Sequence, residues 1–183
     1  MTAVAAVVQR GRIWVGADSA GSSFGSLTIR ADEKVFQVGE YLYGICGSFR
    51  LRDLLRYSFD PPKRVGRDLD RFMATTYINA LRHSLSDGGF LKKEHNVEEI
   101  DASFIVGIRG SLYTVESDLQ VGRVRDDYCA VGSGADVCLG ALAAGRSAKP
   151  RERVLTALRA SEHHITSVRG PFVVISNAEG VKK

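Results

Sequence analysis

Residues 2–18 read TAVAAVVQRGRIWVGAD, and this stretch predicts the centre of the fold. Residues 2–8 form an almost continuous apolar run, which is typical of a strand covered on both faces. Residues 9–12, QRGR, form a turn, and a second strand follows over residues 13–17. Because the turn is short, the two strands are expected to pair in antiparallel fashion.

Outward from this hairpin, groups of strands alternate with pairs of helices. The predicted strands span residues 35–38, 41–46, 103–108, 112–116, 119–124, 128–131 and 172–175, and the predicted helices span residues 48–58, 68–87, 135–144 and 150–164. Residues 92–101 are polar and predict a loop. This order predicts two antiparallel sheets packed face to face, with a helix pair over each outer surface. The expected fold is α+β, a four-layer αββα sandwich in a single domain over residues 1–183.

The composition excludes several classes of protein. The chain has 183 residues, of which 44% are hydrophobic and 25% are charged, as in globular proteins. No apolar run approaches the roughly 18–20 residues of a membrane span, and the start lacks the basic region of a secretory signal. A net charge of +4 is too small to indicate nucleic-acid binding. We therefore expect neither a membrane nor a nucleic acid as a partner.

Charge and cysteine content add two expectations. The densest basic segment, Arg50–Arg67, favours a solvated helix face and loop over a surface for an acidic partner. Cys46, Cys129 and Cys138 are odd in number and lie in apolar surroundings, which favours reduced, buried thiols in a cytoplasmic protein. The adjacent histidines at 163–164 lack the spacing of a metal site. No metal or cofactor is predicted.

The start of the chain carries a possible nucleophile. Thr2 follows Met1 directly, and a residue as small as threonine allows Met1 to be removed. The exposed α-amine has a reference pKa of about 7.7–8.0, so it can act as a base near neutral pH. A threonine hydroxyl with its own amine is a recognised pair of nucleophile and base.

The spacing of later residues strengthens this interpretation. Asp18 lies 16 residues after Thr2, and Lys34 lies 16 residues after Asp18. The segment Gly44–Ser48 follows at a strand-to-helix junction, and Gly132-Ser133-Gly134 precedes a predicted helix. This constellation resembles the proteasome β-subunits and the bacterial HslV protease, which are N-terminal-nucleophile hydrolases. The resemblance implies the αββα sandwich and stacked hexameric or heptameric rings of identical subunits.

The resemblance also implies roles for the three spaced residues. Thr2 Oγ1 would attack a peptide carbonyl. Lys34, as an ammonium, would lower the pKa of the hydroxyl or amine beside it. Asp18 would hydrogen-bond Lys34 and keep it charged and oriented.

Other positions take supporting roles by the same resemblance. The Gly47 amide would donate to the oxyanion, and Ser133 would position the α-amine. Ile45 and Cys46 would line a modest, apolar pocket for the side chain before the cleaved bond. Ser167 would stand for a helper serine near the last strand.

One position departs from the family pattern. His164 falls where an aspartate is expected three residues before that serine, and no carboxylate replaces it unless Glu162 shifts in. The leading hypothesis is a threonine endopeptidase that acts on peptides or unfolded proteins. The missing aspartate keeps open a catalytically silent ring subunit, and a small-molecule amidase of the same class is a third hypothesis. With no Walker loop, degradation of folded proteins would need a separate ATP-dependent unfoldase.

Overall fold

A computed structural model describes residues 2–23, 25–94 and 97–177. Its first sheet has four antiparallel strands with the N-terminal hairpin at the centre. These strands are β1 (Val4–Gln9), β2 (Arg12–Ala17), β12 (Tyr128–Val131) and β13 (Val173–Ser176), in the order β12-β1-β2-β13. The hairpin predicted from residues 2–18 therefore forms the middle of this sheet.

The second sheet has five antiparallel strands. They are β5 (Val35–Val38), β6 (Tyr41–Gly47), β9 (Ala102–Ile108), β10 (Ser111–Val115) and β11 (Val121–Arg123), in the order β11-β10-β9-β6-β5. The predicted strand over residues 119–124 is shorter in the structure. Asp118 Oδ1 accepts from the Gln120 amide at 2.9 Å, and Leu119 has a φ of 66°, so this stretch is a turn.

Helices cover the outer face of each sheet. Over the five-stranded sheet lie α1 (Phe49–Asp53), α2 (Leu69–Phe72) and α3 (Ile78–Asp87), with π-helical turns at Leu54–Ser58 and Met73–Tyr77. Over the four-stranded sheet lie α4 (Ala135–Ala144) and α5 (Pro150–His164). The helical region predicted from residue 68 does begin there, because Asp68 caps α2 and its carboxylate accepts from the Arg71 amide at 3.0 Å.

Three apolar clusters hold the four layers together. Between the sheets, residues from both pack against one another, among them Val4, Val15, Leu42 and Ile105. The two outer clusters join each sheet to its helices, and include Tyr43, Leu51, Tyr77 and Phe104 on one side and Val7, Leu142, Val154 and Leu158 on the other. Burial of each such side chain contributes about 1.5–3 kcal/mol. The predicted αββα sandwich of two antiparallel sheets is confirmed.

Two further hairpins project from the sandwich. They are formed by β3 (Ala20–Ser23) with β4 (Ser26–Ile29), and by β7 (Lys92–Glu94) with β8 (Val97–Glu99). The predicted loop over residues 92–101 is therefore wrong for these strands. The register places Lys92 opposite Glu99 and Lys93 opposite Glu98, and opposite charges across a strand pair stabilise it without any apolar alternation.

Burial differs from the sequence expectation at two places. Arg52 lies within the basic segment assigned to a solvated face, yet it is only 5% exposed. Cys129 and Cys138 are buried thiols as expected, while Cys46 is half-buried. Among the described residues, no helix is long and apolar enough to cross a membrane.

Candidate active site

Thr2, Asp18 and Lys34 meet at one end of the sandwich. Lys34 Nζ lies 2.9 Å from Thr2 Oγ1 and 2.8 Å from Asp18 Oδ1, and donates to both. All three residues are at most 5% exposed. The ammonium group thus bridges a hydroxyl and a carboxylate in a place that is nearly free of solvent.

The strand pairing explains why residues so far apart in sequence come together. In the N-terminal hairpin Val4 pairs with Ala17, so Thr2 and Asp18 extend from the same end of the four-stranded sheet. Lys34 immediately precedes β5 in the five-stranded sheet, and its carbonyl accepts from the Ile45 amide at 2.9 Å. Its side chain crosses from one sheet to the other to reach Thr2.

Backbone amides hold the carboxylate of Asp18. Oδ1 accepts from the Ala3 amide at 3.0 Å as well as from Lys34. Oδ2 accepts from the Ala20 amide at 3.1 Å and the Arg169 amide at 3.5 Å. Its side chain is wholly buried, and these charge-assisted hydrogen bonds replace the water that a carboxylate needs. Asp18 is therefore a fixed anchor for Lys34.

Burial lowers the pKa of Lys34 below the ordinary lysine value, because desolvation disfavours its charged form. The adjacent Asp18 acts in the opposite direction, by charge and by hydrogen bond, and offsets part of this effect. The ammonium therefore releases its proton more readily than a solvated lysine, and Asp18 is the main group that keeps it protonated.

Ser133 contacts the backbone of Thr2. The Thr2 nitrogen donates to Ser133 Oγ at 3.2 Å, and that hydroxyl lies 3.3 Å from the Thr2 carbonyl oxygen. The Gly134 amide also donates to this carbonyl, at 3.3 Å. Gly132, with a φ of 96°, allows the approach, since a Cβ there would overlap the Thr2 carbonyl. The segment before α4 therefore clamps residue 2.

A small pocket opens beside Thr2. Its empty volume is about 180 Å³, and its lining is formed by Thr2, Lys34, Ile45, Gly47, Ser48, Phe49 and Arg52. Gly47 ends β6 with a φ of 116°, a conformation that favours glycine. The pocket is modest in size as expected, but two of its lining residues, Lys34 and Arg52, carry charge.

Ile45 and Cys46 lie on opposite faces of β6. Ile45 lines the pocket, whereas Cys46 packs with the cluster between the sheets, since successive side chains of a strand alternate in direction. Cys46 does not line this pocket, but its thiol lies close enough to Thr2 and Lys34 for both to lower its pKa. Its sulfur also faces Gly132, and burial is the larger effect, so the pKa of the thiol is raised.

The residues at and after the end of α5 do not make the contacts expected of helper residues. Ser167 is 4% exposed, and its hydroxyl has no hydrogen-bond partner among the described residues. His164 is exposed, and its ring packs edge-on against His163. The structure places neither residue in hydrogen-bonding contact with Thr2.

Glu162 acts on the site through the backbone. Its Oε1 accepts from the Gly170 amide at 2.8 Å, and the preceding residue, Arg169, directs its amide at Asp18. Ser19 fastens the same segment, donating through its hydroxyl to the Pro171 carbonyl at 2.6 Å. Sequence reasoning missed Arg169 and Arg52, because backbone donors and the burial of a charged side chain leave no residue-type signal.

The fold is that of the proteasome-like N-terminal-nucleophile hydrolases among the solved structures. The chain resembles the Thiobacillus denitrificans protein BPH in complex with epoxomicin, with a TM-score of 0.81 and 21% identity over 96% of this chain and 98% of that one. It resembles eukaryotic HslV from Trypanosoma brucei, with a TM-score of 0.66 and 15% identity over 96% and 98%. It also resembles Anbu, an ancestral beta-subunit from Yersinia bercovieri, with a TM-score of 0.64 and 13% identity over 96% of this chain and 81% of that one.

These structures agree in fold across nearly the whole chain. No family model and no curated protein matches it in sequence. The chain has the fold of the HslV-like hydrolases, and the resemblance inferred from Thr2, Asp18 and Lys34 is confirmed at that level.

Proposed function

We propose that this chain is a threonine-type endopeptidase subunit with Thr2 as its nucleophile. The observation that carries the proposal is the position of Lys34 Nζ, within 2.9 Å of the Thr2 hydroxyl and 2.8 Å of a buried carboxylate. A buried ammonium held against a hydroxyl stabilises the alkoxide form of that hydroxyl, which is the form that attacks a carbonyl. Met1 lies outside the described residues, and the proposal requires its removal.

Acylation follows from these positions. The Thr2 α-amine takes the proton of Oγ1 as Oγ1 bonds to the peptide carbonyl carbon, and the Gly47 amide donates to the oxyanion. When the C–N bond breaks, the α-ammonium passes the proton to the leaving amine and an ester remains on Thr2. Ser133, within 3.2 Å of the Thr2 nitrogen, orients the lone pair of the amine.

Deacylation reverses the roles. Water attacks the ester carbonyl while the α-amine takes a proton from it, and the proton then returns to Oγ1 as the ester bond breaks. Lys34 keeps its proton throughout and acts by its charge. Asp18 is a positioning residue, because it touches Lys34 and not the reacting atoms.

The relatives support a proteolytic role within an assembly. One is a complex with epoxomicin, one is an HslV, and one is named an ancestral beta-subunit. We extend this to a cytoplasmic homo-oligomer of stacked rings that degrades peptides or unfolded proteins, with folded substrates supplied by a separate ATP-dependent unfoldase. Exposed Leu27 and Ile29 on β4 are available to be covered by neighbouring subunits.

A catalytically silent scaffold subunit is the second candidate. It is favoured by the Ser167 hydroxyl, which has no hydrogen-bond partner among the described residues, and by the exposed His164, because neither gives the support expected for the α-amine. A small-molecule amidase is the third, and a small oligomer by size-exclusion chromatography would favour it.

Intact mass and one substitution separate these candidates. For the peptidase, intact mass shows a chain that starts at Thr2, peptide hydrolysis is measurable, and Thr2→Ala abolishes it. Thr2→Ser is the matched control, since it keeps the hydroxyl and the amine and should retain activity. A chain that keeps Met1, or full hydrolysis by Thr2→Ala, overturns the proposal.

A further inference from the structure

The pocket beside Thr2 was expected to be apolar, yet one of its walls is formed by a charged residue. Arg52, on α1, lines it together with Ile45 and Phe49. The side chain of Arg52 is 6% exposed, so its guanidinium is nearly withdrawn from water. A buried cation beside a candidate nucleophile bears directly on which side chains the pocket accepts.

Neighbouring groups hold this guanidinium in place. Its Nε donates to the Glu33 carbonyl at 3.0 Å, and Nη1 donates to Asp53 Oδ1 at 2.7 Å. The guanidinium carbon lies 5.3 Å from the centre of the Tyr57 ring. Since a guanidinium has five N–H donors, these contacts orient the group without using all of its hydrogen-bonding capacity.

The charge balance differs between the two cations of the pocket. The ammonium of Lys34 faces Asp18, whose side chain is wholly buried, so that pair is neutral within the protein. The partner of Arg52, Asp53, has a side chain that is 46% exposed, and solvent screens the pair. Arg52 therefore leaves the pocket with a positive wall.

The size of the pocket limits the ligand. Part of the roughly 180 Å³ of empty space is open solvent, and only about 10 Å³ can hold the centre of a water-sized molecule, which is room for about one water. Long or aromatic side chains would have to displace Arg52 or Phe49. A short side chain requires the smallest displacement of these walls.

We propose that Arg52 is a specificity-determining residue, which selects a short side chain ending in an oxygen acceptor, aspartate foremost, on the amino side of the cleaved bond. The inference rests on the proposed peptidase function and names the substrate class of that site. A fixed guanidinium fork recognises a carboxylate better than its neutral isostere, because the interaction is charge-assisted and largely desolvated.

The test uses three fluorogenic peptides that differ only in the residue before the cleaved bond, which is aspartate, asparagine or leucine. The assembled wild-type protein should cleave the aspartate peptide with a kcat/KM at least about 10-fold above the other two. Arg52→Met should lower that value by about 10- to 100-fold and leave the leucine peptide nearly unchanged. Arg52→Lys, which keeps the charge but loses the fork, should fall between the two.

Arg56→Met is the matched control. Arg56 follows Arg52 on the same helical segment, its side chain is 32% exposed, and it does not line the pocket. Its removal should leave the ratio among the three peptides as in the wild type. This ratio separates specificity from a structural role, since Arg52 also contacts Glu33 next to Lys34, and general damage would lower all three rates equally.

Each outcome decides the matter. Equal loss on all three peptides in Arg52→Met, or a wild-type preference for leucine, overturns the inference while Thr2-dependent cleavage keeps the proposed function. Absence of Thr2-dependent cleavage of every peptide overturns the proposed function and this inference with it. If Arg52→Met does not fold, the wild-type ratio of aspartate to asparagine decides, and a ratio near one counts against the inference.

Discussion

Asp18 and Lys34 form a 2.8 Å ion pair whose carboxylate side chain has no exposure to solvent. The carboxylate keeps three backbone donors besides the lysine, from Ala3, Ala20 and Arg169. It could therefore remain in place without Lys34, whereas Lys34 has no other carboxylate within hydrogen-bonding distance among the described residues. Lys34 therefore depends on Asp18 more than Asp18 depends on Lys34.

Lys34→Met should abolish most activity and leave a folded protein. Loss of the ammonium beside Thr2 Oγ1 should reduce kcat by about 100- to 1,000-fold. Stability should fall by about 3 kcal/mol, the lower end for a broken buried pair, because backbone amides still satisfy Asp18. Peptide kinetics and denaturant unfolding measure the two effects. The exposed Lys63→Met is the control, and a similar loss there would count against the assignment.

Asp18→Asn should move the alkaline limb of the pH–rate profile to lower pH. Asp18 raises the pKa of Lys34 against the stronger effect of burial, so its neutralisation lowers that pKa further. In the wild type the limb should already lie below the ordinary lysine value of 10.5, since activity needs the ammonium.

A graded control accompanies this prediction. Asp32 also raises the pKa of Lys34, but it is the weakest of the named contributors, so Asp32→Asn should shift the limb much less. kcat/KM measured across pH 6–11 provides the test. An identical shift in both variants would show that Asp18 has no special role.

Gly132→Ala should disrupt the site far more than another glycine substitution at positive φ. Gly132 has a φ of 96°, and a Cβ there would overlap the Thr2 carbonyl, so residue 2 must shift. A displacement of about 1 Å costs on the order of 100-fold in rate. Gly66→Ala is the control, with a φ of 82° and open space around the added Cβ. It should keep its activity, at a cost of about 1–2 kcal/mol in stability.

Glu162→Ala should loosen the segment that carries Arg169 and Gly170. Loss of the 2.8 Å acceptor for the Gly170 amide should cost about 1–3 kcal/mol and reduce activity, because the Arg169 amide faces Asp18. Glu162→Gln keeps a carbonyl oxygen for that amide and should retain most of the stability and most of the activity. Thermal unfolding and peptide kinetics on the two variants test this. Equal behaviour of the two would rule out a positioning role for the acceptor.

Much of the fold could be predicted because it rests on local patterns. The apolar run of residues 2–8, the cap at Asp68 and the proline at the start of α5 each leave a signal in the sequence. The β7–β8 hairpin does not, because its strands pair through the alternating charges of Lys93 and Glu98 rather than through apolar residues. The turn at Leu119 was missed for the same kind of reason, since a positive φ is not visible in an apolar residue.

The site divides along similar lines. Thr2, Asp18 and Lys34 could be placed from spacing, since each is a side chain with a chemical role. The direction of Cys46 depended on the register of β6, and one residue of difference reverses the face. Arg169 contributes only its amide, and Arg52 is buried within a segment whose composition indicates exposure. Such contributions come from tertiary geometry, which residue types do not record.

Thr2 and Asp18 extend from one sheet and Lys34 from the other. The distance between Lys34 and Thr2 therefore depends on the spacing between the two sheets. A substitution between the sheets that changes side-chain volume, such as one at Val15 or Ile105, would change that spacing. It would change catalysis through a shift of a few tenths of an ångström, well before the protein lost its fold. Activity would then report a change of packing in this core more sensitively than the stability of the protein would.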